Sequence, residues 1–189
     1  MRHRFIANRV PPARHSVAEM RRQLKALVGL KLSIARRAAD MRVLHFGRVR
    51  RLTRGSIGQF ALHIQCDWRM EGPGGIITGR DDLWTLPNGE LSPKGWNYEH
   101  GNNLQDVRLG EVLRGYDKRT RSYVNRTKQL VVEKIWASRF GDATLSLSGG
   151  YRLVISPMEA TGEAWRLFVP CRDEPHFVVC ANGMDEEDD

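Results

Sequence analysis

Residues 59–70, QFALHIQCDWRM, form the longest alternation of apolar and polar side chains in the chain, and no other feature constrains the fold as much. Successive side chains of an extended chain point to opposite faces. Phe60, Leu62, Ile64, Cys66 and Trp68 therefore share one side, and Ala61, His63, Gln65, Asp67 and Arg69 the other. The stretch reads as a central strand with one face on a core. Its other face lines up an imidazole, an amide, a carboxylate and a guanidinium, a candidate polar site.

Upstream, Ser16-x-x-Glu19 is a capping box that starts a helix. Val17, Met20, Leu24, Leu27 and Val28 form its apolar stripe, and Gly29 is placed to end it. From Leu30 the period becomes two. Leu30, Leu32 and Ile34 mark a strand, residues 36–40 a polar connection, and residues 41–46 a second strand. RVRRLTRGSIG reads as a loop holding Arg48, Arg50, Arg51 and Arg54. Pairing the second strand with the central one, Phe46 near Leu62, keeps both core faces together and sets His45 against His63.

Residues 86–103 are rich in Pro, Gly and Asn and read as a long surface loop, with Trp96 and Tyr98 its large aromatics. Residues 104–113 predict a short helix with Leu104, Val107 and Val112 inward. A basic connector follows, in which Tyr116 and Tyr123 are interleaved with Lys118, Arg119, Arg121, Arg126 and Lys128. The last third predicts an antiparallel meander: strands at residues 130–137 and 143–148, a Gly149-Gly150 hairpin, then strands around Tyr151, Trp165 and Phe177. The expected architecture is α+β: an N-terminal helix on a bent, mostly antiparallel sheet of about eight strands that curls toward a barrel. Residues 1–15 read as a basic mobile arm, 16–181 as a single domain and 182–189 as an acidic tail.

The 189 residues suffice for one core without staples. Cys66, Cys171 and Cys180 have neither CxxC nor zinc-finger spacing, which fits a reducing, cytoplasmic setting. No apolar run reaches the roughly 18 residues of a membrane span, and the basic amino end lacks the apolar core of a secretory signal. The formal net charge is +8. A basic balance of that size points to anionic partners, although a codon bias toward arginine produces the same number.

The stretches RAADMRVLHFG, ALHIQCDWRMEGPGGIITGRDDLW, EAWRLFVP and EPHFVV resemble a family of small uncharacterised bacterial proteins. The distinctive parts are HIQC-x-WR and the WRLF/HFVV pair. The resemblance spans roughly residues 27–85 and 130–180. It implies one compact domain and carries no activity onto any residue.

Three readings of function follow. The first is a non-enzymatic protein acting by protein-protein interaction, as an immunity, inhibitor or accessory factor, through Trp96, Tyr98, Arg50 and Arg51. The second is nucleic-acid binding by the 48–54 loop, the arm and the 116–128 connector, whose cations would meet phosphates and whose tyrosines would stack on bases. The third is a metal-dependent enzyme using His45 and His63 on the polar face. Two imidazoles are fewer ligands than a metal site needs. The Asp81-Asp82 doublet reads as a turn cap plus a partner for an arginine such as Arg69. No serine sits in a nucleophile elbow and no glycine run has phosphate-loop spacing, so neither a catalytic residue nor a cofactor is expected.

Overall fold

A computed structural model of the chain describes residues 16–98 and 102–180. The basic arm and the acidic tail lie outside the described residues. The fold is α+β and mostly antiparallel. Helix α1 (Val17–Lys25) starts where the Ser16 hydroxyl accepts the Glu19 N–H at 3.1 Å. Met20, Leu24 and Leu27 are fully buried, whereas Val28 is 43% exposed and leaves the predicted stripe. Gly29 takes φ 83° and donates its N–H to the Val132 carbonyl, fastening the end of the helical segment to the sheet below.

Strands β1 (Leu32–Ala38) and β2 (Met41–Phe46) form a hairpin. Arg36 and Arg37, expected in a connection, belong to β1, because Ala39 turns the chain in two residues at φ 53°. The supposed loop after β2 is itself a hairpin, β3 (Arg50–Leu52) and β4 (Gly55–Ile57). Alternation across three-residue strands is too short to read among so many arginines.

The central stretch divides into β5 (Phe60–Ile64) and β6 (Asp67–Gly72). Gln65 and Cys66 both donate to the Ala164 carbonyl, at 2.9 and 3.1 Å, an irregularity that bends the strand out of one sheet and into another. Beyond it lie β7 (Gly75–Gly79), a 3₁₀ turn (Asp81–Trp84), helix α2 (Leu104–Leu113), and β8 (Tyr116–Asp117) with β9 (Ser122–Val124). The remaining strands are β10 (Val132–Ala137), β11 (Ala143–Leu147), β12 (Tyr151–Ser156), β13 (Glu163–Phe168) and β14 (Phe177–Cys180).

Fourteen short strands among the described residues thus replace the expected eight or so. One sheet runs β14-β13-β5-β2-β1-β9-β8, the second β10-β11-β12-β6-β7, and β3-β4 stands alone. The sheets meet at the β5–β6 bend and at a lone Lys31–Val131 bridge. An isolated bridge is not a ladder, so no closed barrel forms among the described residues. Both sheets contribute to one core, with Leu44, Phe46 and Leu62 from the first and Met70, Leu145, Leu153 and Ile155 from the second. The register pairs Phe46 with Phe60 and Leu44 with Leu62, two residues from the expected one. A shift of two preserves which face each side chain takes. Leu167 pairs with Phe177, and the three cysteines are free. Among the described residues no helix is long and apolar enough to cross a membrane.

Candidate functional site

The polar row of the central strand does not form one site, because the bend sends its two halves to different sheets. His63 lies in the seven-stranded sheet with its ring edge-on to Phe168 at 4.7 Å. Gln65 bonds Glu163 at 2.7 Å. Asp67 lies 3.6 Å from Arg80. Arg69 bonds Glu71, which also takes Arg152, so Arg69 does not pair with the aspartate doublet. Asp82 caps the turn by accepting from the Thr78 hydroxyl and the Gly79 N–H.

His45 pairs with Ala61, and His63 with Val43. The two imidazoles thus share a sheet face, offset rather than opposed. Burial lowers the His45 pKa to about 3, with the Arg36 charge adding to it. Burial, then Arg166, lowers His63 to about 4. The Nδ1 atom of His45 accepts the Gly58 N–H at 3.3 Å, so the neutral ring carries its proton on Nε2. Among the described residues no three His, Cys, Asp or Glu side chains stand where they could share a metal ion. Among the described residues His45 and His63 therefore have no third ligand beside them. Burial also pushes the pKa of the half-buried Cys66 thiol up to about 12, which keeps it in the thiol form near neutral pH.

A buried ionic cluster closes one end of the core. Arg37 and Arg42 pair across β1 and β2 on the core side. The Arg42 guanidinium is fully buried, 3.1 Å from Asp106 and 5.6 Å from the Trp68 ring centre. It also bonds the Gln105 side chain. Its Nε and Nη1 have no hydrogen-bond partner among the described residues, and burial lowers its pKa to about 10. Arg37 meets Asp106 at 2.9 Å and the Tyr98 carbonyl at 2.9 Å. Helix α2 consequently turns Gln105, Asp106, Leu109 and Leu113 inward, and Leu104, Val107 and Val112 are only partly buried. Tyr98 is held between Arg37 and the Trp84 ring at 4.6 Å, which anchors the 86–103 loop and leaves the tyrosine little freedom to meet a partner. Trp96 stays partly exposed.

The basic segments do come together. Residues 48–54 contain β3 and the turn that leads into β4, and residues 116–128 contain the β8–β9 hairpin. The Arg119 guanidinium of the second donates to the Thr53 and Gly55 carbonyls of the first, at 3.4 and 3.5 Å. Arg48, Arg50, Arg51, Arg54, Lys118, Arg119, Arg121, Arg126 and Lys128 are all exposed. None of these nine pairs with a carboxylate among the described residues. The one carboxylate in these two segments, Asp117, accepts the Arg119 and Thr120 N–H groups to close its own turn. Nine cations against one acid give these two segments a net +8, the charge of the whole chain, so the remainder is balanced.

The two tyrosines differ. Tyr116 is 47% exposed. Tyr123, 5.1 Å from it, packs against the core and against Gly110, and burial pushes its phenol up to about 12. Of the two, Tyr116 is the one exposed to solvent. Comparison with protein-family models, curated proteins and solved structures finds no match for this chain.

Proposed function

We propose that the protein is a non-enzymatic macromolecule-binding protein and that the macromolecule is nucleic acid, held along the joined β3–β4 and β8–β9 hairpins. The observation that carries this reading is the Arg119 contact with Thr53 and Gly55, which brings two basic segments some 60 residues apart against each other at one point. Unpaired guanidinium and ammonium groups attract phosphates and release condensed counterions on binding. The exposed Tyr116 ring favours a single strand, whose unpaired bases have faces to stack.

Fluorescence anisotropy with a labelled single-stranded oligonucleotide tests it. If five of the nine cations meet phosphates, log K falls against log salt with a slope of about −3.5, from roughly 0.7 per contact. Arg51→Glu with Arg121→Glu flattens that slope. Tyr116→Ala weakens binding by about 1–3 kcal/mol while leaving the slope unchanged. Absence of binding at low salt, or a salt-independent affinity, refutes the proposal.

A protein partner is the second reading, supported by apolar exposure in and beside the long loop, where Leu91 is 83% exposed and Trp84, at the end of the preceding 3₁₀ turn, 46%. It requires stoichiometric recovery of a protein after nuclease treatment, and loss of that protein in Trp96→Ala.

A further inference from the structure

A cleft of about 750 Å³ opens between the segment joining β2 to β3 and the turn after β13. We infer that it binds a single nucleotide, with the phosphate on Arg48, Arg50 and Arg172 and the base against Phe60 and Pro170. The volume lies within the ~300–1,000 Å³ of small-molecule sites. The lining holds three guanidinium groups and no carboxylate, and the planar fork of arginine matches phosphate oxygens in pairs. The same lining holds Val49, Phe60, Val169 and Pro170, apolar surface that a base can cover.

Both walls are set by the backbone. Gly47 takes φ 81° where an added Cβ would lie 2.1 Å from Gln59 Oε1, the atom that accepts the Arg48 N–H at 2.8 Å. The Gln59 N–H in turn donates to the Phe46 carbonyl at 2.8 Å. This lattice fixes where Arg48 and Arg50 leave the sheet. On the facing wall Cys171 follows Pro170 with φ 60°, a left-handed conformation unfavourable for a residue with a Cβ. The sharp turn it makes brings Arg172 to the cleft. Arg172 pairs with Glu174 at 3.2 Å, both side chains more than half exposed. An ion pair of that kind is weak enough for a phosphate to displace.

The inference shares Arg48 and Arg50 with the proposed strand-binding surface and otherwise stands apart from it, since Arg172 belongs to the cleft alone. Isothermal titration calorimetry with adenosine monophosphate, adenosine and inorganic phosphate decides it. Adenosine monophosphate is expected to bind one site at least tenfold more tightly than either fragment. Arg172→Glu should weaken it tenfold or more, while Arg121→Glu, outside the cleft, leaves it within twofold. Equal binding of the monophosphate and adenosine overturns the phosphate contact. Equal binding of the monophosphate and inorganic phosphate overturns the base contact. Equal loss in the two variants overturns the site as a whole. Mononucleotide binding without oligonucleotide binding would support the cleft and refute the strand-binding function; the reverse would refute the cleft alone.

Discussion

His45 makes stability depend on pH in a direction that its surroundings fix. The side chain is 1% exposed, its Nδ1 accepts the Gly58 N–H, and the folded pKa is about 3. A proton arriving on Nδ1 would face a donor instead of an acceptor, within reach of the Arg36 charge. In the unfolded chain the imidazole titrates near its ordinary value of about 6.5. Above that pH neither state is charged and the group contributes nothing to the pH dependence. As pH falls below about 6.5 the unfolded state takes up a proton that the folded state refuses, so stability drops continuously until pH approaches 3. At about 1.36 kcal/mol per unit, the loss by pH 5 is about 2 kcal/mol. Because the folded pKa lies well below 5, that figure depends only on the unfolded value. His45→Asn keeps an acceptor for the Gly58 N–H and does not titrate. Urea unfolding followed by tryptophan fluorescence at pH 7.5, 6.5, 5.5 and 5 should show the parent losing about 2 kcal/mol more than the variant across that range, whatever the variant's starting stability. The other histidines are common to both proteins and cancel. A difference under about 0.5 kcal/mol would mean that the folded protein protonates His45, and the argument from burial would fail.

Two further perturbations test the packing. Asp106→Ala removes the one carboxylate that Arg42 meets among the described residues and strands a buried guanidinium, for an expected loss of about 3–5 kcal/mol in urea or thermal unfolding. Arg42→Met leaves Asp106 with Arg37 and Asn103, so its cost should stay below about 1.5 kcal/mol; a reversed order would refute the account of the cluster. Gly58→Ala places a Cβ 2.5 Å from the Phe46 carbonyl oxygen, a backbone atom, and should cost about 1–3 kcal/mol, whereas Gly74→Ala meets nothing within 4 Å and should be neutral or slightly stabilising. Equal melting temperatures for the two variants would contradict the close approach of Gly58 to β2.

What could be read from the sequence follows from which interactions are local. The α1 cap, the glycine turns and the alternation within strands are set by residues a few positions apart, and these elements form where their patterns lie. The bend at Gln65 and Cys66 is set by Ala164, about a hundred residues away, and nothing in QFALHIQCDWRM marks it. Even-numbered side chains from Phe60 to Met70 keep to the core side through the bend, so the pattern stayed regular while its polar row divided between two sheets. The ionic cluster left a clue: the alternation that turns Leu44 and Phe46 inward also turns Arg42 inward, and a buried arginine demands a carboxylate. Asp106 is not legible in the sequence, because apolar periodicity in α2 marks only apolar residues as inward and gives no sign of a polar one on the buried face.

The basic charge admits two explanations, and the proposed nucleic-acid reading rests on where the charge is placed. An arginine-rich composition without functional cause would spread its cations over the chain, and those near carboxylates would pair with them. Outside the two hairpin segments nine arginines, Arg22, Arg37, Arg42, Arg69, Arg80, Arg108, Arg152, Arg166 and Arg172, have carboxylate partners, Arg21 and Lys31 bond backbone carbonyls instead, and, counted over the full sequence, acids and bases there balance. Within the segments nine cations meet one acid, and that acid closes a turn. Crowding like charges without counterions costs free energy through mutual repulsion, and drawing the second segment onto the first through Arg119 adds to that cost. The arrangement is favourable once an anion spans both hairpins, so the segregation of charge, more than its total, argues for a polyanionic ligand.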